Sequence, residues 1–178
     1  MRFAPPMTLP DLLARVAAVM AVVVVLDLLV KWAVTLWIGP DADRHSWWLI
    51  GDSIGFEYLR NTGAAFGLFR GNPELLAAFT LLVTVGIVRL VLLEVRSPFW
   101  AALSSGLLAG GAIGNFVERV ISGYVTDFVA VGPWPRFNIA DSTITIGIAI
   151  FALAVILPDK FGASDQATAE EGVRDRRA

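Results

Sequence analysis

Four apolar runs, each long enough to cross a bilayer, occupy residues 16–38, 75–93, 98–117 and 139–157. A helix rises about 1.5 Å per residue and the hydrocarbon core is about 30 Å thick, so a span needs about 20 residues. Polar interruptions in the runs are few: Asp27 and Lys31, Arg89, Asn115, and Asp141 with its neighbouring hydroxyls. Val and Ile are common in the first and last runs, which in water would favour strands. In lipid, at this length, a helix closes its own backbone hydrogen bonds. The chain is 17% charged, against about 25% in soluble domains, so neither a soluble globule nor a disordered chain fits. The pattern predicts an all-α membrane protein with four transmembrane helices. They form a single domain over residues 1–157, followed by a disordered, cytoplasmic tail over 158–178. A cleaved signal peptide is the weaker reading of the first run, which is too long for a typical apolar core and has no clear A-x-A site after it.

Composition narrows the chemistry. The sequence has no cysteine and a single histidine, His45. That removes thiol nucleophiles, disulfides and Cys- or multi-His metal sites. A Ser–His triad would have to use His45, which reads as an exposed loop residue. The net charge of −2 gives no basic surface for nucleic acid. Catalysis, if present, rests on carboxylates, lysines, hydroxyls and backbone, and neither a metal nor a cofactor is implied.

Lys and Arg set the orientation. With both termini cytoplasmic, eight basic residues lie inside (Arg2, Arg15, Arg89, Arg96, Lys160, Arg174, Arg176, Arg177) and five outside (Arg44, Arg60, Arg70, Arg119, Arg136). Trp37, Trp47, Trp48 and Trp134 then line the outer interface. The connection over 41–73 is long, and Ile54, Phe56 and Tyr58 alternate with Gly55 and Glu57, the period of a strand. The segment 123–131 is similar, and Gly132-Pro133-Trp134-Pro135 turns the chain back.

The costly polar groups gather at one end of this bundle. Asp27 and Lys31 lie in the outer half of the first span, and Asn61 and Gly63 precede the second on the outer side. The third span ends at Asn115, Glu118 and Arg119; Asp127 follows, and Asn138 and Asp141 open the fourth. Asp27 and Lys31, spaced i, i+4, can pair, either as a structural bridge between helices or as part of a site. Gly106, Gly110 and Gly114 recur every four residues and read as helix packing. Asn138 and Asp141 have the spacing of an N-cap. A second carboxylate, Asp127, enters from the same side. Two apposed carboxylates can share one proton, so that one takes a proton from water while the other polarises an amide. The helix terminus favours an ionised Asp141, and a drier setting keeps Asp127 protonated.

Four stretches carry a resemblance: Asn61-Thr62-Gly63-Ala64-Ala65-Phe66-Gly67, Gly110-Gly111-Ala112-Ile113-Gly114-Asn115-Phe116-Val117-Glu118-Arg119, Val125-Thr126-Asp127-Phe128, and Phe137-Asn138-Ile139-Ala140-Asp141-Ser142. In order, spacing and four-span frame they resemble the signatures of the lipoprotein signal peptidase (signal peptidase II) family. The resemblance implies an aspartyl endopeptidase of the bacterial inner membrane, with its active site near the periplasmic face. Such an enzyme removes signal peptides from diacylglyceryl-modified prolipoproteins, cleaving before the lipidated cysteine. It also implies a small extracytoplasmic β-sheet and a surface loop, membrane lipids as surroundings and globomycin-type inhibitors; a monomer is expected. By position Asp127 and Asp141 correspond to the catalytic pair, with Asp27, Lys31, Asn61, Gly63, Asn115, Arg119, Asn138 and Ala140 around it. Two departures stand out. The first span reads Asp27-Leu28-Leu29-Val30-Lys31 where the family usually has polar residues after the Asp. Glu118 stands where the family usually has Asp, and its longer reach predicts a shifted pairing with Arg119.

The rivals are a small transporter or proton relay using the intramembrane charges, a Ser–Lys protease using Lys31 with Ser53 or Ser142, and a non-enzymatic membrane subunit. A relay needs charges in both halves of the spans, and the inner half holds only Arg89, which reads as snorkelling.

Overall fold

A computed structural model describes residues 8–40, 46–63 and 72–161. The described residues include four long helices: α1 (Leu9–Ile38), α2 (Pro73–Glu94), α3 (Pro98–Ser122) and α4 (Ile139–Ile156). All four are long and apolar enough to cross a membrane. α1 starts seven residues before the apolar run because Thr8 caps it, accepting from the Asp11 amide while Asp11 reaches back. α3 outlasts its run by five residues and ends at Gly123, whose φ of 75° is the left-handed turn that glycine tolerates best.

α3 is the centre of the bundle. Its apolar window is 61% buried, against 11%, 22% and 17% for α1, α2 and α4, whose outer faces are left for lipid. Its small residues explain the difference. A Cβ at Gly106 or Gly110 would lie 2.5 Å or 2.6 Å from the Cβ atoms of Val19 and Val23, so the stripe lets α1 approach closely.

β1 (Ser46–Ile50), β2 (Ile54–Asn61) and β3 (Val125–Val131) form one antiparallel sheet in that order. β2 and β3 match the alternation seen in the sequence. β1, which carries Trp47 and Trp48, was not anticipated as a strand. The Trp47 ring sits 5.2 Å from Trp37 of α1 and 6.2 Å from Phe56, and Phe56 in turn lies 6.4 Å from Phe128, so aromatic contacts tie the sheet to α1. After β3 the chain reverses over 132–136, and Phe137 pairs with Val129. Arg136 holds that turn, donating to Glu57 at 2.7 Å and to the Trp134 carbonyl at 3.2 Å.

The tail expected to be disordered from residue 158 begins with a helical turn over 158–161. The Phe161 ring lies 5.0 Å from that of Trp100, tilted by 57°, an apolar contact that offsets the ordering cost. Residues 162–178, His45, and the part of the surface loop over 64–71 lie outside the described residues.

Candidate active site

Local rules bring the two carboxylates together. Gly123 reverses the chain at the end of α3, and β3 begins two residues later, so Thr126 and Asp127 return over Glu118. Glu118 accepts from the Thr126 amide (3.0 Å) and hydroxyl (2.6 Å), fixing the residue before Asp127. The pairing of Phe137 with Val129 then delivers Asn138 beside Asp127. Asn138 is the N-cap of α4: its Oδ1 accepts from the Asp141 amide (3.0 Å), and Asp141 Oδ2 accepts from the Asn138 amide (3.2 Å). Its other side-chain atom, Nδ2, donates to Asp127 Oδ1 at 2.7 Å. One asparagine thus touches both carboxylates. An Asp in its place would cap the helix but could not donate.

The remaining oxygens are also held. Asn61 Nδ2 donates to Asp127 Oδ2 at 2.8 Å. Leu59 is paired with Asp127 and Asn61 with Val125, so Asn61 reaches Asp127 as a diagonal neighbour on one face of the sheet. Asn115 Nδ2 donates to Asp141 Oδ1 at 2.8 Å. Asp127 is 1% exposed. Burial first, and the negative charge of Asp141 second, push its carboxyl up to about 7, against the opposing pull of the Asn61 and Asn138 amides.

Beneath the pair lies a knot of ion pairs around one lysine. Lys31 Nζ meets Asp27 Oδ2 (2.7 Å), Asn115 Oδ1 (2.8 Å) and Glu118 Oε2 (3.2 Å), which uses all three ammonium protons. Asp27 Oδ1 accepts from the Ala140 amide at 2.9 Å, in the first turn of α4, where a negative charge is favoured. Asp27 therefore does not need the polar neighbours absent at Leu28 and Leu29. Gly114 makes room for it, since a Cβ there would lie 2.7 Å from Asp27 Oδ2. Gly63 donates its amide to Asn61 Oδ1 at 3.0 Å, orienting that side chain.

Asp27, Lys31, Asn61, Gly63, Asn115, Glu118, Arg119, Asn138 and Ala140 fall in this cluster with the two carboxylates or against it. One expected pairing does not form: Glu118 engages Lys31 and Thr126, not Arg119. Adjacent helical residues point about 100° apart, and the extra methylene of Glu118 is used to reach β3. Arg119 is 8% exposed, and its Nε has no partner among the described residues. Thr126 was missed. The one signal for it was a hydroxyl immediately before a singled-out carboxylate.

The family model for signal peptidase (SPase) II matches residues 19–157. The chain belongs to the signal peptidase II family. Lipoprotein signal peptidase of Rhodococcus jostii is 41% identical over 142 residues, covering 76% of this chain and 69% of that protein. That of Syntrophomonas wolfei is 40% identical, covering 78% and 90%. That of Mycobacterium leprae is 31% identical, covering 94% and 84%. A bacterial membrane enzyme solved by the in meso method at 2.3 Å superposes with a TM-score of 0.62 at 28% identity, covering 84% of this chain and 92% of its own. As a signal peptidase II, this chain is a multi-pass bacterial membrane protein and an aspartic peptidase.

Proposed function

We propose that this signal peptidase II cleaves the signal peptide from diacylglyceryl-modified prolipoproteins, just before the lipidated cysteine, with Asp127 and Asp141 as its catalytic pair. The observation that carries this reading is Asn138, whose side chain and amide bind one oxygen of each carboxylate. Asp127, raised to about 7, holds the shared proton and polarises the scissile carbonyl. Asp141, at the N-terminus of α4, is the ionised partner that takes a proton from the attacking water. The tetrahedral intermediate then collapses as the amide nitrogen is protonated, with no covalent enzyme intermediate.

The other groups support this chemistry. Arg119, buried beside both carboxylates with an unpartnered Nε, binds a backbone carbonyl of the extended substrate, where an unpaired group in lipid would be costly. Asn61 and Asn138 fix the carboxylate orientations. The knot of Asp27, Lys31 and Glu118 joins α1, α3 and β3. The substrate's signal helix enters laterally from the bilayer, and its acyl chains stay in lipid. The site faces the periplasm and both termini lie in the cytoplasm, in accord with the basic residues and the interfacial tryptophans. The enzyme acts as a monomer, and globomycin-type compounds inhibit it.

The Ser–Lys rival fares poorly, because the Lys31 protons are taken by Asp27, Asn115 and Glu118, and the Ser142 hydroxyl donates to the Asn138 carbonyl at 2.9 Å. The test is cleavage of a diacylated prolipoprotein by purified Asp127→Asn and Asp141→Asn enzymes in detergent. Each loses at least about a thousandfold in rate while helix content is unchanged. Full cleavage by either would end the two-carboxylate mechanism.

A further inference from the structure

A second feature lies away from the carboxylates, on the membrane face where α2 and α3 part. A groove of about 400 Å³ runs between Leu81, Val85 and Val88 of α2 and Ala109, Ala112 and Ile113 of α3. It continues along α2 to Arg89 and Leu93. Its walls are aliphatic side chains apart from Thr84 and Arg89, and it is open along Val85 and Leu93, which are exposed on the apolar span α2. None of the groups around Asp127 and Asp141 lines it.

Three observations select an occupant. The first is length. From Arg89 back to Leu81 the groove covers eight helical steps, about 12 Å. One leaflet of the hydrocarbon core is about 15 Å thick. The groove therefore matches one acyl chain and is too short for a helix that spans the bilayer. The second is charge. Arg89 is exposed on α2 and makes no ion pair among the described residues. Exposed Arg96 follows on the connection that closes the same end, against a single acid there, Glu94. A net positive end suits an anionic headgroup. The third is what the charge rejects. A signal peptide carries a basic segment at the end away from its cleavage point, which would be brought to Arg89. This last argument rests on the proposed cleavage site; the first two do not.

We infer that the α2–α3 groove is a binding site for one acyl chain of an anionic glycerophospholipid, from the leaflet opposite the carboxylate pair, with its phosphate on Arg89. The chain fills a gap that packing within the protein leaves open. It also bears on the stripe of α3 that carries Ala112 and, two turns further on, Arg119. The site is thus a lipid wedge between the peripheral helix and the central one.

The test is native mass spectrometry of the full-length protein extracted from vesicles of equal phosphatidylglycerol and phosphatidylcholine. The wild type retains phosphatidylglycerol over phosphatidylcholine by roughly fivefold, the preference expected of one basic side chain at a surface. Arg89→Gln loses that preference while still holding lipid. Ala109→Phe, which fills the groove from α3, loses the retained lipid of both kinds. Asp127→Asn, inactive if the cleavage mechanism holds, keeps the wild-type preference, so the two proposals fail separately. Equal retention of the two lipids by the wild type would overturn the inference, as would an undiminished preference in Arg89→Gln. So would a photo-crosslinker at Val85 that captures the signal helix of a prolipoprotein instead of phospholipid. Should Ala109→Phe not fold, the Arg89→Gln comparison still decides.

Discussion

α1 and α2 flank the same central helix and have equally apolar sequences, yet they contribute differently. α1 buries Asp27 and Lys31, at 0% and 3% exposure, and each is answered from another element: Asn115 and Glu118 on α3, the Ala140 amide on α4. α2 offers the network nothing, and its one mid-helix charge, Arg89, is exposed. Apolar length makes both segments spans. What makes α1 part of a site is reciprocity, since a charge in a span persists where facing helices supply its partners. Arg89 of α2 has no such partner among the described residues, and Val91 of α2 meets Ala101, Leu108 and Trp100 of α3 in an apolar cluster.

The largest effect that would break this contrast is on stability. Lys31→Met leaves Asp27 and Glu118 without their cation. Removing one partner of a buried pair costs about 3–5 kcal/mol. Arg89→Gln, on the other helix, should stay within about 0.5 kcal/mol. Thermal unfolding in detergent compares them, and equal losses would mean that the α1 charges are not a structural unit.

The caps sharpen the contrast next. α4 starts at Asn138, which caps with one side-chain atom and holds Asp127 with the other. α2 starts at Asn72, which makes no side-chain cap bond. Asn138→Asp keeps a capping acceptor but removes the donor and adds a charge against Asp127. We expect about a hundredfold loss of kcat with helix content intact. Asn72→Asp should leave the cleavage rate unchanged.

A pH series tests the same carboxylate. Asp127 is raised from an ordinary 3.8 to about 7. The folded protein therefore binds this proton more tightly than the unfolded chain does. The resulting stabilisation is full below 3.8 and is lost as pH rises through about 7. Activity that needs the proton should fall roughly tenfold per unit above that value. Melting temperatures measured from pH 5 to 8 should decline in the wild type more than in Asp127→Asn. Identical slopes in the two proteins would show that Asp127 does not carry the proton.

How much of this was legible in the sequence depends on the range of the interaction concerned. The spans were readable because length and hydropathy are local, and their ends moved only where caps intervened, at Thr8 and Gly123. The polar cluster was readable because topology alone carries Asp27, Asn115, Asp127 and Asp141 to one end. Pairings were not. Glu118 was matched with its neighbour Arg119, whereas its partners Lys31 and Thr126 arrive from another helix and from the strand. β1 was missed because Trp47 and Trp48 side by side break the alternation, and the strand exists by pairing with β2. The capping and site readings of Asn138 looked like alternatives, but an amide carries a donor and an acceptor, and both are used.

The smallest effects separate two glycines. Gly114 on α3 faces Asp27, and a Cβ there would lie 2.7 Å from Oδ2, while a Cβ at Gly86 on α2 would meet nothing within 4 Å. Gly114→Ala must displace a buried, hydrogen-bonded carboxylate, and overpacking of this kind costs about 1–3 kcal/mol. Gly86→Ala removes the entropic penalty of a mid-helix glycine and should stabilise by about 0.5–1 kcal/mol. The same substitution should thus change sign between the two helices. A melting-temperature series in which both variants destabilise would show that α2 is packed at Gly86 as tightly as α1 is against Gly114, leaving reciprocity of polar partners as the only difference between α1 and α2.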